Sequence, residues 1–569
     1  MGEATEILES PRIPADALRV ARRISGIVGD ESDETVLAVC LALSALGNGS
    51  VLLDLAHPDR ALPPVEDDVS DLEWPDPNWW RDHLARSPVT TDEGTPAPLV
   101  LEGDHVYLQR YWRAEQRIAD NILALIDVDS DKDTASDDVR VADGDGPDGD
   151  RGDAVGLDTE QRAAVGAALT SRVLILTGGP GTGKTHTIAR ILRELAALPG
   201  GNRSIALAAP TGKAAARMKQ AIAESEGADS RIRRMDASTL HRLLGSVPGD
   251  LATFRRTRKD PLPHDVVIVD ETSMMDVAIL DALLEALRPD CRLILVGDAD
   301  QLASVSAGNA LADLARSRVV PTVELTTNHR NKGGVAALAT AIRDGDIEAV
   351  DGLLAADGEG APDLHWFDDI RRPPELVGEW ITRWGSELRA AAGAGDVPGA
   401  LSALDGVRVL CAHRRGPSGV STWSRYVVDD FRPGPGTWPL GQPMMVTRNR
   451  VVPDLFNGDT GVVIDDGGIP RVAFTDRILV APERLGSEAV ASYALTIHKS
   501  QGSQFDRVVV VLPDPGSRIL TRELLYTAVT RARDEVAVIG SRESLHAALA
   551  RRVTRASGLT DRLNGGLHR

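Results

Sequence analysis

Residues 178–185, GGPGTGKT, constrain this chain more than any other stretch. They fit G-x-x-x-x-G-K-[ST], follow the apolar run RVLILTG and open the helical run KTHTIARILRELAAL. Strand, glycine-rich turn and helix, in that order, is the context the pattern requires. Gly178, Gly179, Gly181 and Gly183, with Pro180 and Thr182 between them, let backbone N–H groups crowd round phosphates at a helix N-terminus. A compact ammonium at Lys184 suits the β and γ phosphates of ATP, and Thr185 suits Mg²⁺.

The alternation continues. SIALAAP precedes GKAAARMKQAIAES, DVVIVDE precedes DVAILDALLEAL, and CRLILVGD follows. Continuous apolar strands between amphipathic helices mean a parallel sheet covered on both faces, so an α/β fold is expected. A second set, with VRVLCAH, RVVVVLP and EVAVIGS, runs from about residue 335. Within it, residues 440–485 switch to short strands joined by Asn-Gly-Asp and Asp-Asp-Gly-Gly turns, which predicts a small inserted β-barrel of SH3-like size. Residues 1–126 read as a mainly helical domain. Trp74, Trp79, Trp80 and Trp112 belong to its core or to a partner-docking surface.

The chain has 569 residues and a net charge of −21, which is unfavourable for a polyanionic partner until its distribution is considered. Residues 127–153 carry eleven Asp against Lys132, Arg140 and Arg151, a net of −8. That block has too few apolar side chains to offset its ordering entropy, so 127–156 is expected to be a disordered linker. Residues 231–259 carry eight Lys/Arg against Asp236 and Asp250; they form either a solvated face or a nucleic-acid contact. Cys40, Cys291 and Cys411 are far apart, which fits a reducing cytoplasm and no zinc or iron–sulfur site. The opening MGEATEILESPRIP lacks the basic start and apolar core of a signal peptide, and VLAVCLALSAL is too short to span a membrane.

Adjacent carboxylates end the strand VVIVDE. Asp270 suits the Mg²⁺ shell, and Glu271 suits the orientation and deprotonation of a water. Gln301, just past LVGD, either bridges a γ-phosphate to that water or is structural. Arg330 in LTTNHR and Arg531 in LYTAVTRAR are either arginine fingers or surface residues. Gln161 in LDTEQRAAV stands where an adenine edge could be read.

Taken in order, LDTEQRAAV, GGPGTGKT, APTGKAAARM, STLHRLLG, IVDETSMMD, LVGDADQLASVSAG, LTTNHRN, TIHKSQGSQFD and LYTAVTRAR resemble superfamily 1 DNA helicases. Within these they resemble the RecD group, the α subunit of RecBCD-type helicase–nucleases. The resemblance covers about residues 157–540, and PLVLEGDHVYLQRYWRAEQRIA extends it upstream. It implies two RecA-like P-loop domains, 157–334 and 335–569, with ATP between them and single-stranded DNA across their tops. It implies DNA contacts at Pro210, Thr211, Lys213, Thr239, His241, Thr496, His498 and Ser500. It also implies 5′→3′ movement, action at duplex ends in break repair and recombination, RecB-like and RecC-like partners in a heterotrimer, and any nuclease centre in a partner chain. A stand-alone helicase and a non-translocating DNA clamp are the alternatives. Arg450 stands where the family usually has an acid. A hairpin near 246–264 is implied at the duplex junction, with Phe254 either meeting the fork or packing. Only seven lysines survive among 63 Lys plus Arg, three of them (Lys184, Lys213, Lys499) inside these blocks. Those positions are read as sites that need a small ammonium.

Overall fold

The computed structural model describes residues 3–62, 72–91, 96–130, 157–198, 203–225, 231–247, 250–304, 306–329, 333–355, 361–368, 372–428, 438–448, 455–475 and 478–565. The N-terminal part carries strands β1 (Leu52–Asp54), β2 (Thr90–Thr91), β3 (Leu99–Glu102) and β4 (His105–Leu108) in the order β1-β4-β3-β2. Helices Ala15–Val28, Asp33–Gly47 and Pro77–Arg86 accompany them. The run VLAVCLALSAL lies in the helix Asp33–Gly47, of which ten residues are buried. The small sheet is an addition to the helical domain expected; strands of two to four residues are too short to show a period of two in sequence. The four tryptophans divide. Trp80 is buried with its indole N–H on Glu34 O at 3.0 Å, whereas Trp79 is 48% exposed and stacks on His83. Trp74 and Trp112 are partly buried against separate cores.

The first motor sheet comprises β5 (Val173–Gly178), β6 (Ile205–Ala209), β7 (Ala237–Thr239), β10 (Val266–Val269), β11 (Arg292–Gly297) and β12 (Thr322–Leu325). Its order is β12-β5-β11-β10-β6-β7, and every pairing is parallel. β8 (Ser246–Val247) and β9 (Asp250–Phe254) form an antiparallel hairpin apart from this sheet. Helices Thr159–Thr170, Lys184–Ala197 and Gly212–Glu224 bury one face of the sheet. The other face packs on Val277–Ala286 and Ala310–Arg316, and also on Gln109–Ser130 from the N-terminal part and Leu559–Gly565 from the far end.

The second motor sheet comprises β13 (Leu364–Phe367), β14 (Val407–Cys411), β20 (Ala494–Thr496), β21 (Phe505–Val511) and β22 (Ala532–Ile539). It is again all parallel, in the order β13-β22-β21-β14-β20. Between β14 and β20 the chain builds β15 (Pro443–Val446), β16 (Thr460–Asp465), β17 (Pro470–Thr475), β18 (Ile478–Val480) and β19 (Ala489–Ala491). These form an antiparallel sheet, β18-β17-β16-β15-β19, closed over Met444, Val463, Val472 and Phe474. The expected insertion is therefore a five-stranded antiparallel sheet. No β18–β19 pairing occurs among the described residues, and β19 lies beyond residue 485.

Two expected boundaries move. The helix Gln109–Ser130 runs four residues into the acidic block, whose remainder at 131–156 lies outside the described residues, as do Arg330 and Arg450. The second motor domain was expected to run to residue 569, yet Leu559 and Leu563 are buried in the core of the first sheet. Arg562 pairs there with Glu102 and Glu115.

Candidate active site

The phosphate loop leaves β5 through Gly178 and turns on Gly181 and Gly183, both at φ 85°. Close approach forbids a side chain at two of these glycines. A Cβ at Gly178 would stand 2.6 Å from Leu325 O, and one at Gly183 would stand 2.6 Å from the Gln161 amide nitrogen. Gly183 caps the helix Lys184–Ala197, so that helix's unpaired N–H groups face the loop. Lys184 Nζ donates to Gly178 O at 2.6 Å and Gly179 O at 2.9 Å, arching over the turn. His329 N donates to Gly181 O at 2.9 Å and Asn328 Nδ2 to Pro180 O at 3.4 Å, which pins the loop to the segment after β12.

Gln161 is buried and forms a capping box with Asp158: its N–H donates to Asp158 Oδ1 at 2.7 Å and its Oε1 accepts from Asp158 N at 3.3 Å. Its amide nitrogen lies 3.3 Å from His329 Nε2, which is 2.9 Å from Asp158 Oδ2. Gln161 thus buttresses the loop and does not line the cleft described next.

A cavity of about 440 Å³ opens between the two motor sheets. Lys184, Thr185, Asp270, Glu271 and Gln301 line it from the first domain and Arg531 from the second. Asp270 sits past β10, its N–H on Ala208 O at 2.9 Å, and its Oδ1 accepts from Glu271 N at 2.8 Å. Burial first, then the neighbouring Glu271, pushes the Asp270 carboxyl up to about 6, against the pull of Lys184 and Arg217. Glu271 has φ 54° and ψ 37°, the only non-glycine residue at positive φ among the described residues. A left-handed glutamate costs roughly 1–2 kcal/mol, and the turn is held by Thr272 Oγ1 donating to Val296 O at 2.8 Å.

Gln301 Nε2 donates to Asp298 Oδ2 at 2.9 Å, and Tyr526 of the second domain donates to the same oxygen at 3.1 Å. Two more bonds cross the domains here: Leu302 N to Thr527 Oγ1 at 2.8 Å and Gln501 Nε2 to Leu302 O at 2.7 Å. Arg531 is buried; Nε donates to Thr527 O at 3.0 Å and Nη1 to Ser503 O at 3.2 Å. Burial pulls its guanidinium below the ordinary arginine range, opposed chiefly by Glu271. Asp298, Tyr526, His329 and Arg217 were not singled out in the sequence, although each lies in or beside a quoted block.

The residues expected to meet a strand behave unequally. Thr211 and Thr239 cap helices, accepting from Ala214 N and Arg242 N, both at 3.2 Å. Thr211 Oγ1 lies 3.7 Å from where a Cβ of Gly502 would be, so the two domains meet beside it. Pro210 is half-buried at the end of β6, and Thr496 leads into the short helix Ile497–Ser500. His241 packs on Phe254 at 5.8 Å between ring centroids, which makes Phe254 a packing residue here. Burial, with Arg555 nearby, pulls the His498 imidazole below its usual range.

Two of these residues point elsewhere. Ser500 is fully buried with its hydroxyl donating to Ile497 O at 2.7 Å, so its place on an exposed strand path is corrected. Lys213 Nζ reaches 3.4 Å from Thr460 Oγ1 of the inserted sheet and 5.9 Å from the Phe505 ring, so its ammonium lies in the domain interface. Lys499 is half-buried, its ammonium pulled below the usual lysine range by burial and by Arg414. Among the described residues no helix is long and apolar enough to cross a membrane.

Three family models match the chain: "RecBCD enzyme subunit RecD, N-terminal domain" over 15–107, "AAA domain" over 161–307 and "UvrD-like helicase C-terminal domain" over 491–539. A protein named RecBCD enzyme subunit RecD from Mycolicibacterium smegmatis is 46% identical, covering 98% of this chain and 98% of the relative. One of the same name from Mycobacterium tuberculosis is 44% identical, covering 96% of this chain and 94% of the relative. The ATP-dependent RecD2 DNA helicase of Deinococcus radiodurans is 33% identical over 80% of this chain and 58% of its own length.

Proposed function

The chain belongs to the RecD family of RecBCD enzyme subunits, and we propose from this that it is an ATP-dependent 5′→3′ DNA helicase working as the RecD subunit of a cytoplasmic RecBCD-type machine. The observation that carries the catalytic part is the cleft in which Lys184 of one parallel sheet and Arg531 of the other line the same cavity. A group that turns over a triphosphate needs charge from both sides and a site that changes as the lobes move.

Lys184 and the N–H groups of Gly181–Thr185 hold the β and γ phosphates. Thr185 and Asp270 fit Mg²⁺: two adjacent carboxylates, Asp270 raised by burial and by Glu271, call for a cation beside them. Bound there, Mg²⁺ supplies neutralisation of charge across the phosphate oxygens. Glu271 orients the attacking water and takes its proton, Gln301 aligns that water, and Arg531, with Arg330, neutralises charge on the phosphoryl group being transferred.

Pro210, Thr211, Thr239, His241, Thr496 and His498 lie along the path proposed for single-stranded DNA. Lys213 and Ser500 are assigned to the domain junction beneath it. RecB-like and RecC-like chains are the proposed partners, with residues 1–126 as the docking part and the exposed, stacked Trp79 as its candidate anchor. Nuclease chemistry belongs to a partner. The 46% identity to a RecD subunit, against 33% to the RecD2 helicase, supports this reading over a stand-alone helicase.

Unwinding of 5′-tailed and 3′-tailed duplexes, with and without the partner subunits, tests the reading. ATP-dependent opening of the 5′-tailed substrate is expected from this motor. Opening of the 3′-tailed substrate alone by the isolated chain overturns the polarity, and turnover by Glu271→Gln equal to wild type overturns the site.

A further inference from the structure

The cleft contains an arginine whose bond crosses the domains. Arg217 lies on the helix Gly212–Glu224, one turn past Lys213 and next to the buried Met218. It lines the cavity together with Lys184, Asp270, Glu271 and Arg531. Its Nη2 donates to Oε1 of Gln504 at 2.5 Å. Gln504 is nearly buried and stands just before β21, two residues beyond the Gly502 that faces Thr211. The N-terminus of this one helix therefore meets the strand-contact blocks, its second turn faces the nucleotide cleft, and the bond to Gln504 ties it to the block Thr496–Gln504 of the other domain.

A guanidinium suits this place because it is a planar fork. One edge can hold the Gln504 amide oxygen while the other faces the carboxylates and phosphates of the cleft. Arg217 is close enough to pull on both the Asp270 carboxyl and the Arg531 guanidinium, so its charge is felt on both sides of the site. A lysine could carry the charge but could not serve both edges.

Resting on the function proposed above, we propose that Arg217 is a positioning residue that makes ATP turnover depend on the bound DNA strand. Domain closure forms its bond to Gln504 and fixes the two strand-contact blocks relative to one another; opening breaks that bond and releases them. The strand that holds the blocks in register also holds Arg217 in the cleft.

The test uses the full chain, alone and assembled with its partners, with oligothymidylate as the strand. Arg217→Lys and Gln504→Leu are each expected to lower the ratio of DNA-stimulated to basal ATP turnover by about tenfold. Gln504→Leu should lower DNA-stimulated turnover far more than basal turnover, whereas a merely structural loss would lower both together. The double variant should be no worse than either single, because both remove one bond. Gln504→Glu, which offers Arg217 a carboxylate, should retain stimulation, and it serves as the second variant should Gln504→Leu fail to fold. Stimulation ratios within about twofold of wild type in both singles, or losses that multiply in the double, overturn the proposal. Loss of nucleotide binding in Arg217→Lys without DNA also overturns it, making Arg217 a phosphate ligand. A wild-type protein that strands do not stimulate overturns instead the helicase reading beneath it.

Discussion

Tyr526 and Gln301 come from opposite motor domains and converge on one oxygen, Oδ2 of Asp298, at 3.1 and 2.9 Å. The tyrosine hydroxyl is buried, and burial, with Asp298 beside it, drives its pKa well up, so it stays a donor. The pair gives the Gln301 side of the cleft a direct connection to the second domain. Tyr526→Phe removes the donor and leaves a buried carboxylate with one partner fewer, a cost of about 1–3 kcal/mol. Because that bond depends on domain closure, the loss should fall on kcat, by roughly tenfold or more, with the KM for ATP little changed. Steady-state kinetics with saturating oligothymidylate measure it; a raised KM at unchanged kcat would show that Tyr526 serves binding alone.

Glu271 combines a proposed chemical role with a backbone that resists it. Glu271→Gln should lower DNA-stimulated turnover by about 10²–10⁴-fold and leave nucleotide binding intact. Glu271→Gly removes the same carboxylate and also the left-handed strain at φ 54°. The glycine variant should therefore be as inactive as the glutamine variant yet more stable than it by about 1 kcal/mol, a higher melting temperature. Equal melting temperatures for the two would mean that the strain is not stored in the resting protein.

Much of this site was legible because its parts are local. GGPGTGKT, VVIVDE and LVGD each join a continuous apolar strand to a turn, and strands that run parallel must deliver their ends to one edge of the sheet. The structure places Lys184, Glu271 and Gln301 together for that reason. What escaped was set by contacts distant in sequence. Nothing near Ser500 announces that its hydroxyl folds back on Ile497 O, and nothing near Lys213 points to Thr460, which is 247 residues away. Arg217 was in plain view within APTGKAAARM, but a lone arginine on an amphipathic helix reads as a solvated face. The return of Leu559–Gly565 to the first sheet was invisible for the same reason, since a seven-residue helix with two buried leucines does not specify which sheet it covers.

That return predicts a strap. Between the second motor sheet and the final helix, Arg555 donates to the carbonyl oxygens of Ser304 (2.6 Å), Ser306 (2.9 Å) and Gly308 (2.8 Å), and Val51 N donates to Ala556 O at 2.7 Å. The loop so held follows Gln301. Leu563 is fully buried beyond it. Leu563→Ala should cost about 2–5 kcal/mol through the cavity it leaves. Arg555→Ala should cost about 1–3 kcal/mol by stranding those carbonyls. Urea unfolding followed separately for the N-terminal part (hydrogen exchange of peptides from 1–126) and for the motor (nucleotide binding) measures both. If the strap joins the two, each variant should lower both midpoints together; a shift confined to one probe would leave Leu559–Gly565 as local packing only.

Glu115 makes the strap sensitive to pH in a direction that can be derived. Its carboxylate accepts from Ser557 Oγ at 2.7 Å, Gly558 N at 3.2 Å and Arg562 Nε at 3.4 Å, three donors that favour the charged form. Burial outweighs them and pushes the carboxyl from the ordinary range up to about 7. The folded protein then holds this proton more tightly than the unfolded chain does. Its contribution to stability is fully present below the unfolded value near 4.5 and is lost as pH rises through the folded value near 7, amounting to roughly 3 kcal/mol at most. Glu115→Gln keeps an uncharged side chain at every pH. The melting temperature of wild type minus that of Glu115→Gln should fall between pH 5 and pH 8, with most of the change complete by about pH 7.5. If the Arg562 ion pair governs instead, the folded value lies below 4.5 and the same difference rises with pH only below about pH 5 and stays flat from pH 5 to pH 8, so the slope across that window decides which force sets the charge at the root of the strap.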